Sequence, residues 1–387
     1  MGNQNFKEFD FSNQTGLYIR TDKLSYNPGE EVKGNIYLNL VKDEQLEPTI
    51  YLKVKGYEKA KWKETRTIQQ NIPQTQLLQN QSREAIEFYD NENVFYLHKI
   101  QVYQFQSKMI PQGQYQFPFK FQLKQNLPVS FEYKEQNLEC RIKYSVKAEI
   151  DSPNNDQKKI KFKQEFLVRE HIINNDKPKV EEQTLYPKTC YCIPMGTIQL
   201  NYQFDQQVYQ SNDIANLRVK INNSQSKVGI STITGNLKNT LKLVSKTGQT
   251  KQISRTCGTS SIPGIQAGQN NLNNIMTLKF QDQGTNIPLN PTTNGKIIMS
   301  NYQFSVSAEL KGIFLCLAET ESKDLQIRIQ GQQIQSYDQF VAPTFGWNPQ
   351  VMETFSIQFQ DSNKYYPQDL IPDQNQNTET IRIQISH

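Results

Sequence analysis

Two segments, Leu24 to Leu38 and Ile110 to Leu123, each set a turn built on proline and glycine ahead of a run in which apolar and polar residues alternate. That pattern confines the chain to β-sheet architectures. In Asn27-Pro28-Gly29, proline presets φ at the first corner and glycine accepts the positive φ of the next. Glu30, Glu31 and Lys33 keep the strand entrance in water, while Val32, Ile36, Leu38 and Leu40 offer one apolar face. Ile110-Pro111-Gln112-Gly113 repeats the device. Tyr115, Phe117, Phe119, Phe121 and Leu123 then share a face, an aromatic stripe suited to a sandwich core. Pro118 removes a ladder donor, so this strand is expected at a sheet edge or bulged there.

The same texture recurs along the chain. Leu17 to Ile19, Thr49 to Val54, Cys140 to Ile150 and Lys158 to Val168 alternate in the first half. Gly196 to Phe204, Ile214 to Ile221, Ile233 to Val244, Asn274 to Phe280, Tyr302 to Lys311 and Leu325 to Ile329 do so in the second. Short strands at this spacing predict an all-β chain of two antiparallel β-sandwiches in tandem. The only helix candidate is Gln76 to Phe88. The stretch around Asn174-Asn175-Asp176 is charged and poor in apolar residues, and beyond Gly331 the alternation loosens around several prolines. The expected division is an extension over 1–14, sandwiches over 15–170 and 189–330, a hinge over 171–188, and a loosely structured tail over 331–387. The run Thr380 to Ile385 would add a last strand to that tail.

Composition narrows the function classes. Only 36% of the 387 residues are hydrophobic and the mean hydropathy is −0.72, yet the 11% of aromatic residues supplies large buried areas. The abundant Gln and Asn alternate with apolar residues and form no long tracts, which suits a source-genome bias better than a prion-like role. A net charge of +5 over this length is not the concentrated basic stripe of a nucleic-acid binder. No apolar run is long enough to span a bilayer, and the N-terminus lacks a secretory pattern. A cytoplasmic protein with its five cysteines reduced is expected.

Catalysis finds no foothold. The three histidines are His98, His171 and the terminal His387, and no nucleophile elbow, zincin helix or phosphate loop is present. Cys190 and Cys192 lack a second close pair that would close a zinc site, and so read as core or strand-end thiols. No catalytic residue, metal or cofactor is expected. The sharpest charge feature is Lys158, Lys159, Lys161 and Lys163, lining one face of a strand whose other face carries Ile160, Phe162 and Phe166. Such a row either solvates a sheet edge against strand addition or docks anionic lipid headgroups or phosphorylated tails. Lys59, Lys61, Lys63 and Arg66 extend it if the fold brings the two runs together.

At these residues the chain resembles the arrestin superfamily, in particular the arrestin-domain-containing α-arrestins. The family's Tyr-x-Pro-Gly-Glu-x-Val-x-Gly turn is matched at Tyr26, Pro28, Gly29 and Gly34. Its strand ending in glycine followed by tryptophan is matched by Gly56 and Trp62. Its Pro-x-Gly-x-Tyr-x-Phe-Pro-Phe strand falls on Pro111, Gly113, Phe117, Pro118 and Phe119, its Leu-Pro-x-Ser-Phe corner on Pro128, and its Tyr-x-Val-x-Ala strand on Tyr144 to Ala148. In the second half Gly196 to Asn223 is similar to the opening strands of the C-terminal domain, with Asp213 standing where glycine is common.

The resemblance implies two immunoglobulin-like sandwiches and a non-catalytic cytoplasmic adaptor in endocytic or endosomal sorting, peripherally associated with plasma or endosomal membrane. It would bind the cytoplasmic tails of membrane proteins, phosphorylated or not, through strand edges and a basic surface. The alternative within the superfamily is a constitutive structural subunit of a retromer-like coat. A ubiquitin ligase or coat protein is a further partner the resemblance allows, although the Pro-Pro-x-Tyr by which α-arrestins dock ligases does not occur and Leu370 to Asp373 begins a clathrin box without completing it. Met1-Gly2 opens like a myristoylation signal, but Phe6 stands where Ser or Thr is expected.

Overall fold

Alternation in the sequence becomes pleat in the structure. Tyr115, Phe117, Phe119 and Phe121 are buried, and Pro118, Lys120 and Gln122 between them face water. The computed structural model describes residues 14–68, 83–151, 160–170, 180–189, 192–281, 288–311, 322–331 and 347–357. Among them the secondary structure is all β. The chain divides into two compact units, the first taking its described residues chiefly from the stretch up to Val168 and from 347–357, the second from Arg169 onward.

The first unit contains β1 (Gly16–Thr21), β2 (Ser25–Tyr26), β3 (Glu31–Leu40), β4 (Glu44–Gln45), β5 (Thr49–Ile68), β6 (Arg83–Gln104), β7 (Met109–Ile110), β8 (Gly113–Gln122), β9 (Phe131–Glu135), β10 (Leu138–Ile150) and β11 (Ile160–Val168). One sheet runs β1-β3-β8, and the other β2-β11-β10-β5-β6 with β9 on β10; β4 and β7 pair separately. Ile19, Ile36, Phe117 and Phe121 from the first sheet and Leu52, Val54, Ile142 and Tyr144 from the second are buried. Each such aliphatic or aromatic side chain contributes about 1.5–3 kcal/mol on burial.

The second unit contains β12 (Val180–Leu185), β13 (Gly196–Phe204), β14 (Val208–Gln210), β15 (Ile214–Ser226), β16 (Gly229–Val244), β17 (Thr250–Pro263), β18 (Asn270–Lys279), β19 (Thr293–Asn294), β20 (Ile298–Lys311) and β21 (Lys323–Gln330). Its sheets run β12-β13-β15-β18 and β14-β21-β20-β16-β17, with β19 on β20. Strand for strand, β13, β14 and β15 repeat β1, β2 and β3, and even the short parallel pairs β2 with β11 and β14 with β21 recur.

The opening turn is repeated in atomic detail. Tyr26 donates its hydroxyl hydrogen to Asp22 and accepts the Lys23 amide at 2.9 Å. Tyr209 donates to Asp205 and accepts the Gln206 amide at 3.2 Å. The Asn27 amide meets Glu30 at 2.8 Å, and the Gln210 amide meets Asp213 at 2.7 Å. The left-handed corner is Gly29 (φ +79) in one turn and Asn212 (φ +83) in the other. So Asp213 occupies the place of Glu30, and Asn212 takes the glycine position, correcting the sequence alignment by one residue. Asn tolerates this region because its short side chain bonds locally. Asn212→Val should cost about 1–3 kcal/mol while Asn212→Gly is neutral, read from thermal melts.

Three segments differ from expectation. The described part of the helix candidate, Arg83 to Phe88, is strand, paired with Lys63–Ile68. Val180–Leu185, within the segment read as a hinge, is a strand on β13. Only Leu185 of it is buried, so backbone hydrogen bonds hold it and no apolar pattern marks it. Thr250–Pro263 is an edge strand with the same polar character. The run Thr380 to Ile385 lies outside the described residues.

Candidate functional site

The outer edge of β8 carries a strand from the far end of the chain, β22 (Gln350–Val351), which pairs in parallel with Tyr115 and Gln116. The Met352 amide donates to the Gln116 carbonyl at 2.8 Å, and the Thr354 hydroxyl donates to the Pro118 carbonyl at 2.7 Å. A strand residue points its N–H and C=O to the same side, so Pro118's ring nitrogen also faces the tail. β8 therefore offers no amide there, and regular pairing stops after two residues. That is the edge position the proline demanded. Upstream, the Asn348 amide donates to Gln114 at 2.9 Å and the Trp347 ring sits edge-on to Tyr37 at 6.2 Å. Downstream, the Phe355 amide donates to Val102 of β6 at 2.9 Å. Val351 and Phe355 themselves are 64% and 52% exposed, so the segment is held by backbone bonds more than by burial. Each such bond contributes about 0.5–1.5 kcal/mol.

The second surface is the outer face of the β2-β11-β10-β5-β6 sheet. Lys161 and Lys163 project from β11 as exposed side chains, while Phe166 is buried and Ile160 and Phe162 are half-buried. Lys158 and Lys159 lie outside the described residues. Register decides what joins Lys163. It stands across from Lys147 of β10, Lys147 across from Lys53 of β5, and Lys53 across from Lys99 of β6. These lysines are scattered through the sequence, and no local run points to them. Lys59 and Lys61 lie further along β5, between β6 and the start of β10, and Lys63 and Arg66 lie beyond them across from β6.

The row is partly compensated. Glu149 pairs with Lys147 and, at 3.0 Å, with Lys99, while Glu165 pairs with Lys163 at 2.9 Å. Burial works to raise the Glu149 pKa, but the two lysines outweigh it and hold the carboxyl below its usual range. The Lys99 ammonium also sits 4.2 Å over the Tyr51 ring. Lys53 makes no ion pair among the described residues. Burial lowers its pKa, and Lys147, Lys55 and Lys99 lower it further, against the pull of Glu149.

Residues 16–175 match the family model for the arrestin (or S-antigen) N-terminal domain, and residues 194–334 match that for the C-terminal domain. The chain belongs to the arrestin family. The comparison with curated proteins finds no match. Arrestin-family proteins are in general non-catalytic adaptors of trafficking and signalling, and the tandem all-β architecture is theirs.

Within the N-terminal arrestin domain the signature residues do structural work. A Cβ on Gly34 would lie 2.4 Å from the Arg20 carbonyl oxygen and from the Phe119 ring. Gly56 leaves room for Phe95 and Tyr144. Trp62 is buried and stacks on Tyr89 at 5.2 Å. Tyr144 donates to the Pro128 carbonyl at 2.5 Å, and Tyr115 donates to that of Pro111 at 2.9 Å, closing the turn before Gly113.

Among the described residues the remaining reactive side chains form no assembled site. Cys140 and Cys257 are buried free thiols, and burial pushes Cys140 up to about 12. Cys192 is exposed and free at a positive φ of 59°. Cys190, Cys316, His171 and His387 lie outside the described residues. The half-buried His98 packs its ring against Tyr96 at 4.7 Å. Among the described residues no group of three or more His, Cys, Asp or Glu side chains could hold a metal ion, and no helix is long and apolar enough to cross a membrane.

Proposed function

We propose that the chain is a non-catalytic adaptor of membrane-protein sorting in the endocytic or endosomal system, working in the cytoplasm and peripherally at those membranes, with an N-terminal domain over 15–170 and a C-terminal domain that takes in Val180–Leu185. Its N-terminal arrestin domain would take extended segments of cargo tails by strand addition at the edge of β8. The observation that supports this is the tail strand already there: the edge accepts an extended segment, and the chain's own 350–354 fills the place. Strand addition supplies main-chain hydrogen bonds whatever the cargo sequence, and flanking basic side chains favour acidic or phosphorylated segments.

A tethered segment competes at an effective concentration of roughly mM. A labelled peptide spanning Trp347 to Phe355 should therefore bind a chain truncated before Trp347 at least tenfold more tightly than the full chain, read by fluorescence anisotropy. Cytoplasmic tails recovered by proximity labelling in the native cell should displace it. Equal binding to both chains would show that the edge is not a site the tail controls.

A further inference from the structure

We propose that the row Lys99–Lys53–Lys147–Lys163 is the face by which the N-terminal arrestin domain lies on an anionic membrane surface. The inference presupposes that the chain works at a membrane, and it adds which surface makes the contact. Four lysines stand at directly opposed positions on four successive strands. With strands about 4.8 Å apart, the row is roughly 14 Å long. Like charges directly opposite one another weaken a sheet. A single pair of this kind is a small cost, but a row of four breaks a local rule that Glu149 and Glu165 offset only in part.

The carboxylates present do not cancel the row. Glu149 is shared by Lys99 and Lys147, Lys99 also lies 3.9 Å from Asp151, and Glu165 serves Lys163 while also lying 3.7 Å from Lys143. Lys53, in the middle, makes no ion pair among the described residues, and both its cross-strand neighbours are ammonium groups. Burial and those neighbours already lower its pKa. A negatively charged plane laid over the row would relieve this.

The chemistry and shape favour a membrane over a phosphorylated peptide. All four groups are lysines, compact point charges, where a single phosphate held in fixed geometry would call for the bidentate fork of arginine. They lie in line across a sheet face. An extended peptide repeats its same-side groups about 6.8 Å apart, twice the residue rise, which does not match the strand spacing. Headgroups in a bilayer diffuse laterally and adjust to any spacing. Partial compensation by Glu149 and Glu165 keeps the contact reversible, and each lysine near such a surface is worth about a fivefold gain in binding.

The test is co-sedimentation of the full chain with phosphatidylcholine vesicles made with and without phosphatidylserine. The double variant Lys53→Gln, Lys99→Gln should bind the anionic vesicles about 20-fold more weakly than the parent chain. The control, Lys33→Gln with Lys120→Gln, removes the same charge from an exposed cross-strand pair on the other sheet and should change binding less than about twofold. Because Lys53 is disfavoured where it stands, Lys53→Gln alone should leave the melting temperature unchanged or raise it. A fold-holding role predicts a fall. Equal losses in the two double variants, or none in either, overturn the proposal, as does a row that binds a soluble phosphopeptide but not vesicles. Binding of the 347–355 peptide to the truncated chain is a separate readout, so failure of the membrane face leaves the adaptor reading standing.

Discussion

Gly34→Ala shifts the unfolding of the N-terminal arrestin domain to much lower urea in the expected melt, leaving the transition of the second domain in place. Gly34 lies in the middle of β3, opposite Thr21 of β1. A Cβ there would sit 2.4 Å from the Arg20 carbonyl oxygen and 2.4 Å from the Phe119 ring. The ring can turn, but the carbonyl belongs to the backbone of the neighbouring strand. Relief therefore requires β1 to leave β3. Overpacking of this kind costs about 3 kcal/mol or more, a large part of the 5–15 kcal/mol that typically holds a domain together. Gly248 is the comparison: a Cβ there meets nothing within 4 Å, though φ is +84, so Gly248→Ala should cost only about 1 kcal/mol. A Gly34→Ala chain that melts like the parent would show that β1 and β3 are not so closely packed.

Tyr144→Ala should cost about 3–5 kcal/mol, and Tyr144→Phe about 1–2. The ring is fully buried against Phe95 at 5.7 Å and Phe166 at 5.8 Å. The hydroxyl ties the strand to the corner through the Pro128 carbonyl. Phenylalanine keeps the packing and removes only that tie. Urea melts of the two variants separate the contributions, and equal costs would refute the division between packing and hydrogen bond. The second domain repeats the device, with Tyr302 donating to Asn290 at 2.8 Å.

The tyrosines also set an alkaline limit. Burial raises the pKa of Tyr144, and likewise of Tyr26, Tyr96, Tyr202 and Tyr209, above the ordinary 10.0. Above about pH 10 the unfolded chain releases protons that the folded chain retains, so stability present below that pH is lost as pH rises. A Tyr144→Phe chain should show a shallower fall.

How much of this was legible in the sequence varies by element. β3 and β8 were readable because each buries one face and solvates the other, and their turns carry glycine or proline for a backbone reason. Pro118 announced an edge, and an edge it is, although the segment that covers it cannot be read from β8. The strands missed, Val180–Leu185 and Thr250–Pro263, lie at sheet edges and bury few side chains. Asn212 escaped because several residues near Tyr209 suit a turn, and only the backbone angle shows which one takes the left-handed corner.

The basic surface divides in the same way. Lys161 and Lys163 were visible as a run along one strand. Lys147, Lys53 and Lys99 were not, since each has ordinary neighbours in its own segment.

Fold class, the two-domain repeat and the turn chemistry are written in residue order, because period-two burial and backbone restrictions act over a few residues. That residues 350–354 fill the edge of β8, and that four distant lysines form one row, emerges from the packed sheets. Both depend on strand register, which is set by how whole faces pack and by which backbone donors remain free.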